Sequence, residues 1–175
     1  MKKLLVATCI GLLVASCTSK EELSEQEAVT LLRQQMNYPK AFTYDIFCAD
    51  PEYSQKALDA GLETKGFVTI KRTQKLSEVG QPLIEFTNQA SPYLVTLSEL
   101  DKKTHIQKVK IADEDLNQVS DITLDEGGKN ATIEYTTVYK NTTPFSSLLH
   151  IDLQKPITHT VYLILADNGW KLKDK

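Results

Sequence analysis

The sequence predicts an α+β fold in which N-terminal helices and a small hairpin pack with a mainly antiparallel sheet built from the C-terminal half. Apolar residues recur at helical spacing early in the chain, at Val29, Leu32 and Met36, whereas they alternate with polar residues over 131–140. The hydrophobic content of 41% and the charged content of 25% are ordinary for a folded globular domain. This composition excludes a disordered chain.

The first predicted helix begins after Ser24, because Glu27 three residues later completes a capping box. Its apolar stripe is typical of core packing. The helix ends before Pro39, since the residue that precedes a proline is disfavoured in the helical region. Residues 41–48 then alternate between apolar and polar side chains, which predicts a half-buried strand.

A second helix is predicted from residue 51 to about residue 60. Asp50 is a suitable capping residue, and Pro51 suits the first helical position because its missing N–H is not needed there. Gly61 provides the left-handed residue that ends the helix. Two short strands are predicted next, at 67–73 and 83–87, on either side of a polar excursion.

The second half of the chain is predicted to consist mostly of strands. They are placed at 105–111, 119–124, 131–140, 158–166 and 170–172. The acidic run 113–115 is interpreted as part of the connection between the first two strands. The strand at 158–166 is apolar on both faces, so we expect it to lie centrally and to be covered on both sides. Asn168-Gly169 predicts the tight turn of a closing hairpin.

The first seventeen residues have the features of an export signal. Two lysines precede an apolar run over residues 4–15, which is shorter than the roughly 20 apolar residues that cross a membrane. Val14-Ala15-Ser16-Cys17 resembles the lipobox of bacterial lipoproteins. The resemblance implies cleavage before Cys17, diacylglycerol on its thiol and an acyl chain on its new amino group. The alternative is an ordinary secretory signal that happens to end in a cysteine.

The lipoprotein resemblance divides the chain into a signal peptide at 1–16, a lipidated tether at 17–23 and a single α+β domain at 24–175. A division of the domain into lobes at 24–96 and 97–175 stays open. Thr18 stands where an aspartate would favour retention in the inner membrane of many Gram-negative bacteria, so the resemblance implies an outer-membrane location. We expect the domain to face the periplasm, and Lys20-Glu21-Glu22 leaves cell-surface exposure as the alternative.

Residues 51–94 resemble the helix–hairpin–helix part of winged-helix domains. The resemblance rests on a helix ending in Gly61-Leu62, two strands around a polar excursion, and a helix cap at Phe86-Thr87. The candidate recognition helix has only Lys56 against two acidic residues, so it would not neutralise DNA phosphates. With a net charge of −3, no nucleic-acid partner is expected. The C-terminal hairpin resembles that of small nuclear-transport-factor-2-like exported lipoproteins, which implies a fold and no activity.

The sequence contains no recognisable motif for a cofactor, a metal or a catalytic centre. It lacks phosphate-binding loops and nucleophile elbows, and none of its histidines has a second histidine or a cysteine at helical spacing. Cys48 is expected to be a buried small apolar residue. A catalytic Cys48 thiol with His105, His150 or His159 as its base is the alternative.

These observations favour a non-enzymatic accessory or binding role. The expected partners are the membrane, through lipids on Cys17, and another envelope protein. Two other function classes stay open. A small acid–base enzyme would need strand residues such as Asp45, Glu134 and His159 to meet in a cavity. An immunity or inhibitor lipoprotein against an envelope toxin would present an exposed acidic patch between Asp113 and Asp125.

Overall fold

A computed structural model describes residues 23–173, so the predicted signal peptide, Cys17 and the tether up to residue 22 lie outside the described residues. The helices within this range are α1 (Glu25–Gln35), α2 (Pro51–Asp59) and α3 (Glu99–Lys103). The strands are β1 (Lys40–Phe47), β2 (Val68–Ile70), β3 (Ile84–Phe86), β4 (Ile106–Leu124), β5 (Asn130–Lys140), β6 (Ile157–Ala166) and β7 (Gly169–Leu172). Short 3₁₀ helices lie at Leu76–Glu78, Asn88–Tyr93 and Pro144–Leu148.

Five of these strands form one antiparallel sheet in the order β1-β4-β5-β6-β7, and β2 pairs with β3 in a separate antiparallel hairpin. The predicted α+β class with a mainly antiparallel sheet is therefore confirmed. Among residues 23–173, no helix has the length and apolar character needed to cross a membrane.

The predicted helix ends are confirmed in atomic detail. Ser24 accepts from the backbone N–H of Glu27, and the Glu27 carboxylate accepts from the backbone N–H of Ser24, which completes the capping box of α1. At α2, Oδ1 of Asp50 accepts from the backbone N–H of Glu52 at 2.8 Å. Gly61 adopts a φ of +69° just after this helix, a conformation that costs a glycine little.

The central strand β4 corrects the sequence prediction, which placed two strands here with an acidic connection between them. β4 is one strand of 19 residues that continues through the acidic run. A bulge opposite Phe42 and Thr43 leaves Ile111 as an extra residue, so Ile111 and Ala112 are both buried although they are consecutive. Because each bulge exchanges the two faces of the strand, the alternation that marks a strand in the sequence is interrupted.

The expectation that β6 is central and covered on both faces was wrong. β6 is the last strand but one, and β7 pairs only with its residues 163–166. Leu163 is fully buried, whereas its neighbour Tyr162 is 60% exposed. The face of β6 that carries Tyr162 is therefore open to solvent, and its apolar residues do not mark a second core.

Two hydrophobic clusters stabilise the domain. One lies between α1 and the C-terminal part of the sheet, and it includes Leu32, Leu116, Ile133, Tyr135 and Leu163. The other lies beneath α2, the β2–β3 hairpin and the 3₁₀ helices, and it includes Ile46, Leu62, Val68, Val109 and Phe145. Since β4 and β5 contribute to both clusters, neither cluster is confined to one side of residue 96.

The elements give the domain two opposite ends along β4. Gln26 at the start of α1 lies beside Asn168 in the β6–β7 turn, and Arg33 near the end of α1 bonds Asp115 midway along β4. We call the end with the start of α1, the β4–β5 turn and the β6–β7 turn the tether end. The far end carries the start of β4, α3 and the β2–β3 hairpin.

Candidate functional site

A cleft of about 710 Å³ opens at the far end of the domain, between β3, the connection from β2 to β3, α3 and the start of β4. Apolar side chains contribute much of its lining, and these are Cys48, Pro82, Ile84, Phe86, Leu97 and Ile106. Its polar lining is rich in side-chain amides, from Gln74, Gln81 and Gln107. The cleft therefore combines six apolar lining residues with eight polar or charged ones, and a concave site with both kinds of group can bind a ligand.

The charges that line the cleft balance one another. Two lysines and two glutamates contribute to it, and Nζ of Lys71 lies 2.7 Å from Oε1 of Glu85. The second cleft lysine, Lys102, is held by Glu99 of α3, also at 2.7 Å. The cleft therefore has no excess of one sign of charge that would favour a highly charged ligand.

Three apolar side chains stand exposed on the elements that border the cleft. Leu76 is 92% exposed and Val79 is 69% exposed, both in the β2–β3 connection, and Leu100 on α3 is 69% exposed. Their neighbours Glu78 and Lys102 line the cleft itself. Sequence reasoning missed this group, although the signal was available: two large apolar residues stand within an otherwise polar excursion.

Cys48 lies at the buried side of the cleft, and His105 lines the same cleft. The Cys48 thiol points to the backbone oxygen of Ile46 at 3.6 Å, and burial raises the pKa of the thiol to about 11. The thiol is therefore protonated at neutral pH, which opposes a role as a nucleophile. The structure thus brings Cys48 and one of its three candidate bases together, while His150 is exposed beyond β5 and His159 lies on β6.

A cluster of four polar residues, which we call the buried polar cluster, crosses the sheet away from the cleft. Its centre, Glu114 and Thr137, is buried, and its outer members, Lys40 and His159, are partly exposed. Thr137 Oγ1 lies 2.9 Å from Oε1 of Glu114 and 2.9 Å from Nε2 of His159. Nζ of Lys40 lies 3.3 Å from the second carboxylate oxygen of Glu114. Because a carboxylate only accepts and the hydroxyl has one hydrogen, we assign the hydrogen between Thr137 and His159 to the histidine.

Two tyrosines cover this buried polar cluster. The ring of Tyr135 stacks on His159 with 5.1 Å between centroids, and its hydroxyl lies 3.4 Å from that of Tyr38. Burial raises the pKa of both Tyr135 and Tyr38, so both hydroxyls stay neutral at physiological pH. Among the described residues no buried side-chain nitrogen or oxygen atom lacks a hydrogen-bond partner, which suits a structural role for this cluster at the junction of the two hydrophobic clusters.

The structure does not bring together the carboxylates and the histidine that an acid–base enzyme was expected to use. Asp45 lies on β1 beside Lys108, with 3.6 Å between Oδ2 and Nζ. Glu134 adjoins Tyr135, and Tyr135 pairs with His159, so Glu134 points to the opposite face of the sheet from His159. The carboxylate that does meet His159 is Glu114, which sequence reasoning missed because the bulges in β4 change which acidic residues point inward.

The acidic run on β4 is compensated by basic side chains. Lys110 lies 2.6 Å from Asp113, and Arg33 and Lys140 each lie 2.8 Å from Asp115. Hydrogen bonds from Lys110 and then Asn141 hold the pKa of Asp113 below its usual value. The acidic residues at 113–115 are thus tied to neighbouring strands and to α1. Within 113–125, the exposed acidic side chains are Asp121 and Asp125, which lie nearer the tether end.

Comparison of the chain with protein-family models, with curated proteins and with solved structures gives no match. Within residues 23–173, no group of three or more histidine, cysteine, aspartate or glutamate side chains is arranged to hold a metal ion.

Proposed function

We propose that this chain is a lipid-anchored lipoprotein of the bacterial outer membrane that has an accessory or binding role and holds its ligand in the far-end cleft. The lipobox at 14–17 supports the anchor. The cleft is the single structural observation that supports binding, because its volume of about 710 Å³ is that of ligand sites and its lining offers both apolar and polar groups to a ligand. Lipids on Cys17 would hold the domain at the periplasmic face of the membrane.

We also propose that α2, the β2–β3 hairpin and the 3₁₀ helix Asn88–Tyr93 form a winged-helix-like packing module. Ala57 of α2 and Val68 of β2 are buried in the same hydrophobic cluster, which supports a role in packing. Lys56 on α2 is paired with Glu52 at 2.7 Å, so this helix has little free positive charge to offer to a nucleic acid. The module's contribution to function is β3, which forms one wall of the cleft.

A second candidate function is acid–base catalysis, and one observation favours it. His159 is partly exposed while it is hydrogen-bonded to Thr137, which in turn bonds the buried Glu114. Such a chain orients a histidine for proton transfer. The binding role is preferred because this histidine stacks on Tyr135 and lies away from the described cleft.

The anchor is tested by partition of the chain between water and a detergent phase. Cys17→Ala is expected to move the protein from the detergent phase to the aqueous phase, because the acyl chains supply most of the membrane affinity. Cys9→Ala is the matched control, since it changes a cysteine that the predicted cleavage removes, and it should leave the partition unchanged. Retention of the Cys17→Ala chain in the detergent phase would overturn the anchor.

The binding role is tested with a photo-reactive amino acid placed in intact cells at Gln81, which lines the cleft. A covalent adduct that shifts the protein's mass is expected at this position. The control position is Glu126, which is exposed in the β4–β5 turn at the tether end. Identical adducts at both positions, or none at Gln81, would contradict ligand binding in the cleft.

A further inference from the structure

We propose that the cleft, together with Leu76, Val79 and Leu100, is a docking surface for an apolar segment of another polypeptide, presented away from the membrane that anchors this chain. This inference rests on the proposed lipid anchor for its orientation. It deepens the proposed binding role by naming the class of partner.

The position of the docking surface relative to the anchor follows from the chain itself. Residues 17–22 can span at most about 20 Å when fully extended, so Cys17 stays close to the start of α1 at the tether end. The 19 residues of β4 run from the cleft to the tether end, and at about 3.3 Å per residue they have a contour of about 60 Å. The cleft and the anchor therefore lie at opposite ends of the domain.

This separation decides what covers the exposed apolar side chains. Leu76, Val79 and Leu100 are exposed on the two elements that contribute Glu78 and Lys102 to the cleft, and exposed apolar side chains at one end of a domain mark an interaction site. Because the short tether would hold the opposite end at the bilayer, these side chains lie on the end of the domain that is remote from the anchoring lipids. The occupant of this surface is therefore expected to be a partner molecule that approaches the far end of the domain from the side opposite the membrane.

The chemistry of the cleft favours a polypeptide as that partner. Its balanced charges give no advantage to a phosphate-rich or strongly acidic ligand. Its six apolar lining residues and the three exposed side chains suit apolar anchor residues of the kind that dominate protein interfaces. The side-chain amides of Gln74, Gln81 and Gln107 can donate to and accept from the backbone groups of a bound segment.

Docking is tested with the full lipidated chain reconstituted in vesicles of phosphatidylethanolamine and phosphatidylglycerol, with a phage-displayed library of random peptides as the probe. We expect the selected peptides to be rich in apolar residues. Val79→Asp and Leu100→Asp should each lower the affinity of the chain for the selected peptides by at least about tenfold, as expected for central interface residues. The matched control is Tyr162→Asp, which changes an exposed apolar residue on a distant face and should have less than about a twofold effect.

All three substituted side chains are more than half exposed, so the variants are expected to fold, and their urea unfolding midpoints check this. Selection of no peptide, or equal binding by all variants, would overturn the docking surface. Concentration-dependent dimers that Leu100→Asp abolishes would overturn it in favour of a second copy of this chain.

The orientation is tested separately by quenching with brominated lipids. A dye on Leu76→Cys should be quenched less than a dye on Glu126→Cys at the tether end. Stronger quenching at residue 76 would show that the bilayer covers this surface and would overturn the proposal. Failure of the anchor itself appears in the Cys17→Ala partition experiment. The same peptide selection on the full Cys17→Ala chain in solution does not depend on the anchor, so the two failures are distinguishable.

Discussion

Thr137 donates its hydroxyl hydrogen to Oε1 of Glu114 across 2.9 Å, from β5 to the neighbouring strand β4. The same carboxylate meets Lys40 on β1, and Thr137 accepts from His159 on β6. The buried polar cluster thus crosses four consecutive strands of the sheet. The cluster lies where the two hydrophobic clusters meet. It provides hydrogen-bond partners for the Glu114 carboxylate, which is only 8% exposed.

Replacing Thr137 with valine should destabilise the fold by about 1–3 kcal/mol, because a buried carboxylate then loses a donor while the side-chain volume is kept. Urea unfolding measures the change. Thr160→Val is the matched control, since Thr160 is exposed on β6, and it should stay within about 0.5 kcal/mol of the parent chain. An effect of Thr137→Val as small as that of the control would contradict a structural role for the cluster.

The stability of the domain should fall in acid partly through Asp113. Its carboxylate accepts hydrogen bonds from Lys110 and Asn141, and these lower its pKa in the folded state. A lowered folded pKa contributes stability above the unfolded value of about 3.9, and this contribution is lost as the pH falls through the folded value.

The stability difference between Asp113→Asn and the parent chain should therefore be largest at neutral pH and shrink below about pH 4. Urea unfolding at several pH values measures it. For Asp167→Asn, in the exposed β6–β7 turn, the difference should be small throughout. A difference for Asp113→Asn that does not change with pH would contradict this account.

Local chemistry explains what the sequence could predict of the fold. The capping box of Ser24 and Glu27, the Asp50 cap and the left-handed Gly61 each depend on residues within a few positions of one another. Strand β5 was predicted correctly because the side chains at its inward positions alternate regularly with exposed ones. Such features can be predicted from sequence because they depend little on residues elsewhere in the chain.

The features of the fold that the sequence did not predict depend on contacts between residues that are distant in sequence. Acidic residues on β4 look like a loop until Lys40, Arg33 and Lys140 are brought beside them by other elements. The β-bulges of β4 then determine that Glu114 points inward, and no sequence pattern near residue 114 predicts these bulges. The cleft likewise consists of residues from four separate segments, so no single stretch of sequence carries its pattern.

Phe145 should be among the residues whose truncation destabilises the domain most. It is fully buried, and its ring centroid lies 5.7 Å from Phe67, 6.1 Å from Phe86 and 6.0 Å from Tyr93. Phe145→Ala should lower the free energy of unfolding by about 3–5 kcal/mol, because a large cavity is left. The control Phe47→Ala removes a ring that is partly exposed and should have less than half of that effect, both measured in urea.

Cys48 should react slowly with iodoacetamide in the native chain. Burial raises the pKa of its thiol from 9.0 to about 11, which lowers the thiolate fraction at neutral pH by a factor of about 100. Since the thiolate is the nucleophile, the alkylation rate should fall by at least about that factor relative to an exposed cysteine. Mass spectrometry of the peptide that contains Cys48 measures the rate.

The matched reference for this experiment is Leu100→Cys, which places a thiol at an exposed position on α3 beside the same cleft. In urea the two thiols should react at similar rates, because unfolding removes the burial that protonates Cys48. Native-state alkylation of Cys48 as fast as that of the exposed reference would mean that the cleft activates this thiol. The catalytic alternative with His105 would then replace the binding role of the cleft.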